Sequence, residues 1–201
     1  FMSLNIFVIS MAGSIERRSR IEEQMRSLDL SFEFVDAVNG RDLPPAYLAQ
    51  KATSRHIIQG GVAATTPREI GCALSHVKCA DLIVQRGLPG AVILEDDAEL
   101  LPPFADFVRN FNSKSGPLIE GAAIILGGLE DERPGELDRQ KWLVPSLFGR
   151  IRLPGGIQLL KSVKSDRYFL RACAYYLDQT AARKLADFNR TLLKAKEAGK
   201  I

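Results

Sequence analysis

Gly90-Ala91-Val92-Ile93-Leu94-Glu95-Asp96-Asp97-Ala98-Glu99 runs four consecutive apolar residues straight into three consecutive carboxylates. Ala91 to Leu94 has no polar alternation. A short apolar run of this kind reads as a strand buried on both faces of a mostly parallel sheet. In open α/β sheets ligands sit beyond the carboxyl ends of the strands, so Glu95, Asp96 and Asp97 are expected at the mouth of a cleft. Adjacent carboxylates raise one another's proton affinity unless a cation neutralises them, and oxygen donors suit a hard divalent ion such as Mn²⁺ or Mg²⁺. The competing reading is an acidic triplet on a solvated turn that binds nothing. The apolar strand just before it favours the cleft, as does Pro102-Pro103 just after, read as a stop to any continuation.

The chain has 201 residues, with 27 Lys plus Arg against 24 Asp plus Glu and a net charge of +3. That length supports one substantial core. Neither sign of charge is gathered into a long run, which disfavours nucleic acid as a partner. No apolar stretch approaches the roughly 20 residues that span a bilayer, and no charged leader precedes a long hydrophobic region. The expectation is a soluble, cytoplasmic protein, at most peripherally associated with the inner face of the inner membrane. Cys72, Cys79 and Cys173 are odd in number and lack CxxC spacing. They disfavour a disulfide framework and a structural zinc site, even with His56 and His76 counted.

Outward from the acidic strand, Leu4 to Ile9 reads as a first strand and Ile15 to Leu28 as a helix with Ser14 as its N-cap. Arg17 and Arg18 in its first turn oppose the helix dipole, so they are either solvated or placed to meet an anion such as a diphosphate. Phe32 to Val38 reads as a second strand, completing a βαβ opening, with a turn at Asn39-Gly40. Asp36, near its end, is a candidate for a ribose hydroxyl or simply a residue ending a strand. Residues 41–67 read as a long connection, a functional loop, a lid or a poorly ordered segment, with His56 unplaced and by default exposed.

Thr66-Pro67-Arg68-Glu69 has the pattern of a capping box with proline at the first helical position, opening a helix that stops at Arg86-Gly87. Gly71, inside that helix, costs about 1 kcal/mol against alanine, so close approach of another backbone or a ligand is expected. Ser75 and His76 follow; adjacent residues on a helix point about 100° apart, so they are not a nucleophile and base pair by themselves. Phe104 to Phe111 is helix-like, Ala122 to Leu126 a buried strand ending at Gly127-Gly128, Val144 to Lys164 a region of hairpins, Phe169 to Leu177 a strand, and Thr180 to about Ala198 a last helix.

Five segments in order resemble glycosyltransferase family 25, the bacterial lipooligosaccharide and lipopolysaccharide galactosyltransferase family whose animal relatives glycosylate collagen. They are Ile6-Phe7-Val8-Ile9-Ser10 with Glu16-Arg17-Arg18; Phe34-Val35-Asp36-Ala37-Val38-Asn39-Gly40; Glu69-Ile70-Gly71-Cys72 with Ser75-His76; Ile93-Leu94-Glu95-Asp96-Asp97; and Ala174-Tyr175-Tyr176-Leu177 with Ala181-Ala182. The resemblance implies an α/β fold of the glycosyltransferase A type: one Rossmann-like domain over residues 2–201, with a donor half to about residue 100 and an acceptor half beyond it. It implies an inverting transfer, with galactose the expected sugar, from a UDP-sugar donor to a lipooligosaccharide or other glycan acceptor.

A divalent ion, Mn²⁺ or Mg²⁺, is expected on Asp97 and Glu95, which face the same way if the chain stays extended. Asp96 is then expected to face the donor's ribose or sugar, with Arg17, Asp36, Ser75 and His76 as further donor contacts. The general base is unassigned, Glu130 and Asp131 being guesses. Family members continue past the last helix with an Asp-Asp-Trp-like segment, and this chain stops at Ile201 before one. A C-terminal truncation and a shorter variant are the alternatives. Two other classes stay open: a metal-dependent nucleotidyl or phosphoryl transferase, disfavoured by the lack of a GxxxxGK[ST] phosphate loop, and a nucleotide-sugar-binding module without turnover.

Overall fold

The computed structural model describes residues 4–52, 55–58, 61–64, 66–111, 121, 123–126, 150–152, 158–160 and 173–197. The first strand, β1 (Asn5–Ser10), leads through helix α1 (Ile15–Ser27) to β2 (Glu33–Asp36). Both β2 and β5 (Gly90–Glu95) pair parallel to β1, one on each side. The register sets Ser10 opposite Asp36 and Ile9 opposite Glu95, so the carboxyl ends of three strands share one edge. The chain thus leaves β1 in one direction for β2 and returns on the other side for β5. In open α/β sheets the ligand crevice lies at such a reversal, beyond the carboxyl ends of the strands, which here is the edge between β1 and β5.

The five-stranded sheet has the order β2-β1-β5-β9-β6, with β6 at Ala123–Ile125 and β9 at Ala174–Asp178. Here the expected mostly parallel sheet needs correction, because β9 runs antiparallel to both of its neighbours, β5 and β6. The sheet is mixed. Ala174 to Leu177 is buried on both faces as a parallel strand would be, and burial does not encode direction.

Consecutive apolar residues in β1 and β5 serve opposite faces. Ile6, Val8, Val92 and Leu94 pack with Ile21 and Met25 of α1 and with Phe107 and Val108 of α4 (Pro102–Asn110). Phe7, Ile9, Ala91 and Ile93 pack with Cys79, Ala80 and Ile83 of α3 (Pro67–Gln85) and with Ala181 and Ala182 of α5 (Gln179–Glu197). This helix–sheet–helix sandwich explains why the strand sequences lack alternation. Pro102-Pro103, read as a stop, instead opens α4, proline being tolerated in the first helical turn.

The stretch after β2 is more ordered than a long loop. A 3-10 turn (Gly40–Asp42), capped by the Asn39 side chain, leads into α2 (Pro45–Ala52), then strands β3 (Arg55–Ile58) and β4 (Gly61–Ala64) pair as an antiparallel ladder. A second ladder joins β7 (Arg150–Arg152) to β8 (Gln158–Leu160), within the region read as hairpins. The side chain of His56, Gly127-Gly128 and the guesses Glu130 and Asp131 lie outside the described residues.

The start of α3 has the expected capping box: Thr66 Oγ1 accepts from the Glu69 amide at 3.2 Å, and the Thr66 amide donates to Glu69 Oε2 at 2.7 Å. Gly71 has the expected close neighbour. A Cβ there would stand 2.5 Å from the Val38 carbonyl oxygen and 2.6 Å from the Gly40 nitrogen. Gly71→Ala therefore tests packing against propensity. Helix propensity alone stabilises the alanine variant by about 1 kcal/mol, whereas the backbone contact predicts a loss of roughly 1–3 kcal/mol, to be read from urea unfolding midpoints.

Candidate functional site

Glu95 is the last residue of β5, and its amide donates to the Cys173 carbonyl at 2.9 Å. The chain then turns, with the Ala98 amide donating back to the Glu95 carbonyl at 3.1 Å. Asp96 and Asp97 sit in that turn, so the extended-chain premise for aligning Glu95 with Asp97 does not hold. The three carboxylates diverge. Glu95 is half-buried, Asp96 buried and Asp97 exposed.

Asp96 points into the β1–β5 crevice. Its Oδ2 accepts from Ser10 Oγ at 2.8 Å, and its Oδ1 from Arg17 Nη1 at 3.1 Å. A buried carboxylate keeps its charge only when paired and hydrogen-bonded, and these two donors do both. Arg17 still exposes 56% of its side chain above the crevice. Arg18, the next residue, turns to β1 and β2 instead: it donates to the Ser10 carbonyl at 3.2 Å, pairs with Asp36, and lies 4.6 Å from the centre of the Phe34 ring. The two arginines opposing the helix dipole thus meet carboxylates of the protein itself, an alternative that the sequence reading did not contain. Asp36, at the end of β2, keeps 64% of its side chain exposed.

On α3, Ser75 and His76 diverge as helix geometry requires. Ser75 is 1% exposed; its hydroxyl donates to the Gly71 carbonyl at 2.7 Å and accepts from the Val38 amide at 2.9 Å. It pins the segment after β2 to α3. His76 points to the sheet, with Nε2 at 3.3 Å from Glu95 Oε1 and Nδ1 at 2.8 Å from the Tyr175 hydroxyl. Cys72 stands one turn earlier, and the ligand atoms of Cys72, His76 and Glu95 all lie within 4.8 Å of one another.

Of the residues singled out from sequence, Arg17, Asp36, Glu95, Asp96 and Asp97 gather at the carboxyl edge of β2, β1 and β5. His76 joins them through Glu95, and Ser75 faces away into a backbone contact. Ser10, Cys72 and Tyr175 were missed, and Arg18, read with Arg17 as solvated or anion-binding, pairs with Asp36. Ser10 ends a strand next to β5, and Cys72 lies four residues before His76, so both carried a usable signal. Tyr175 carried none, because its contact depends on the reversed direction of β9.

A hard divalent ion carrying a nucleoside diphosphate needs only one or two protein carboxylates, the phosphates supplying other ligands. Asp97 fits as the exposed carboxylate at the crevice mouth, having no hydrogen bond or ion pair among the described residues, whereas Glu95, the expected second ligand, is turned to His76 on α3 and fits less well. Asp96 fits less well, both of its oxygens being engaged.

Burial alone would lower the His76 pKa, but hydrogen bonds to Cys72 and Glu95 outweigh it and raise the value to about 9. The His76 hydrogen bond in turn holds the Glu95 carboxyl below its usual range against the opposing effect of burial. His76 therefore contributes stability that is complete below its ordinary value of 6.5 and is lost as pH rises through about 9. Glu95 contributes stability above its ordinary 4.5 that is lost as pH falls through the lowered value. An imidazole NMR titration of the metal-free protein should place the His76 midpoint near 9, and Glu95→Gln should lower it. A wild-type midpoint at or below 6.5 would contradict this electrostatic picture.

The model of glycosyltransferase family 25 (LPS biosynthesis protein) matches residues 3–196. The chain is 33% identical over 131 residues to the inactive glycosyltransferase 25 family member 3 of Mus musculus, covering 59% of this chain and 19% of that protein. It is 33% identical over 96 residues to a putative glycosyltransferase of Haemophilus influenzae, covering 47% of this chain and 32% of that protein. A glycosyltransferase 25 family member of Drosophila pseudoobscura is 32% identical over 114 residues, covering 54% of this chain and 18% of the fly protein. The chain thus matches about a fifth to a third of the length of these relatives. With the family's match running through nearly every element that shapes the β1–β5 crevice, the chain belongs to glycosyltransferase family 25.

Proposed function

We propose that the protein transfers a sugar, galactose being the favoured one, from a UDP-sugar to a glycan acceptor of the lipooligosaccharide type, with inversion at the anomeric carbon. The observation that carries this reading is the exposed Asp97 carboxylate at the mouth of the β1–β5 crevice, beside the half-exposed Arg17 guanidinium. Family membership supports the sugar donor and glycan acceptor in general terms.

In this reading Arg17 offers its remaining N–H groups to the donor's diphosphate while Nη1 stays on Asp96. A guanidinium suits that task because it forms several charge-assisted hydrogen bonds at once. Asp36, exposed at the end of β2, is positioned for a ribose hydroxyl. Asp96 and Ser75 hold their surroundings in place, and His76 orients Glu95. Asp97 would hold Mn²⁺ or Mg²⁺ together with the diphosphate oxygens, and the ion would supply Lewis-acid stabilisation of the charge developing on the leaving group.

A second reading, a donor-binding module without turnover, is favoured by one observation: the mouse relative carries the description inactive. Helices that could cross a membrane are absent among the described residues, which accords with an acceptor reached from solution or from a membrane surface. Calorimetric titration with UDP-galactose and Mn²⁺, alongside a UDP-release assay, separates the readings. Turnover supports the enzyme, and binding without turnover supports the module. Asp97→Asn should weaken manganese-dependent donor binding by more than about tenfold, a loss that even residues behind a metal ligand can bring, with the melting temperature unchanged. Undiminished donor affinity in that variant would overturn the assignment of Asp97.

A further inference from the structure

Cys72 and His76 lie four residues apart on α3 and therefore on one face of the helix. Glu95 approaches that face from the end of β5, its Oε1 3.3 Å from His76 Nε2, and the three ligand atoms lie within 4.8 Å of one another. In a tetrahedral zinc site, bonds of about 2.0–2.3 Å leave neighbouring ligand atoms roughly 3.5 Å apart. The His76–Glu95 pair already has that spacing, and the Cys72 side chain needs to close by no more than about 1.3 Å.

We infer that Cys72, His76 and Glu95 form a cation site for a borderline divalent ion of the zinc class, separate in chemistry from the hard-ion position offered by Asp97. The donor set is one sulfur, one imidazole nitrogen and one carboxylate oxygen. Thiolate and imidazole favour zinc or cobalt over magnesium or manganese, which prefer an all-oxygen shell. The Tyr175 hydroxyl at 2.8 Å from Nδ1 holds the ring with Nε2 turned to the site, the outer contact that metal-bound histidines commonly make. Cys72 is exposed and its two partners are half-buried, so three protein ligands leave a fourth position open to solvent, for water or another oxygen ligand. Binding requires the thiol and the Nε2 position to give up their protons to solvent, so affinity rises with pH.

The inference does not depend on sugar transfer and can be tested with no nucleotide present. Co²⁺ is titrated into the reduced 201-residue chain while the near-ultraviolet thiolate-to-cobalt charge-transfer band is followed. The band should saturate at one equivalent, disappear in Cys72→Ser, weaken in Glu95→Gln, and be bleached by Zn²⁺ but not by Mg²⁺. A wild-type protein without the band would overturn the inference, as would a band that survives in Cys72→Ser and so arises from Cys79 or Cys173. Because Cys72 is at the surface, its serine variant keeps the core intact. A cobalt band without donor binding would leave this site standing while removing the proposed function, and the reverse result would do the opposite.

Discussion

The buried carboxylate of Asp96 ties the site together. It sits in the turn after β5, yet its two oxygens reach the end of β1 through Ser10 and the start of α1 through Arg17. Taking a carboxylate out of water is costly unless donors replace the lost solvent, so the three segments hold one arrangement. The Arg17 contact contributes less than a fully buried pair would, because Arg17 is more than half exposed and screened by solvent. Ser10 does more of the fixing, being buried together with its partner. This anchor turns Asp97 outward and leaves Glu95 facing α3. A sequence of three identical charges becomes three side chains in three environments.

Much of the fold was legible because burial leaves a mark on composition. Ala91 to Leu94 lacks alternation since successive residues pack on opposite helical layers, and the capping box of Thr66 and Glu69 announced the start of α3. Gly71 signalled a close backbone, and the segment around Val38 and Gly40 is that backbone. What composition does not carry is direction and chain reversal. The residues of β9 are as apolar as a parallel strand's, and only the route of the chain makes it antiparallel. Pro102-Pro103 is as compatible with opening a helix as with ending a run, and here it opens α4.

The site was legible as a set of residues and much less so as a set of contacts. Strand ends could be located, which brought Asp36, Glu95, Asp96 and Asp97 to one edge. The partners of Arg17 and Arg18 could not be, since they lie 79 and 18 residues away. Ser75 and His76, adjacent in sequence, separate into a structural pin and a contact to the acidic strand end. The Tyr175–His76–Glu95 chain of contacts also links α3 to β9 across β5, so the histidine's environment depends on the reversed strand that sequence did not reveal.

Paramagnetic broadening of backbone amides by Mn²⁺ in the presence of UDP would locate the hard ion without reference to turnover. If the β1–β5 crevice holds the donor, broadening should centre on residues 95–98, extend to Ser10 and Arg17, and weaken in Asp97→Asn. Broadening centred elsewhere, or equal with and without UDP and unaffected by the substitution, would contradict the placement of the donor at this edge of the sheet.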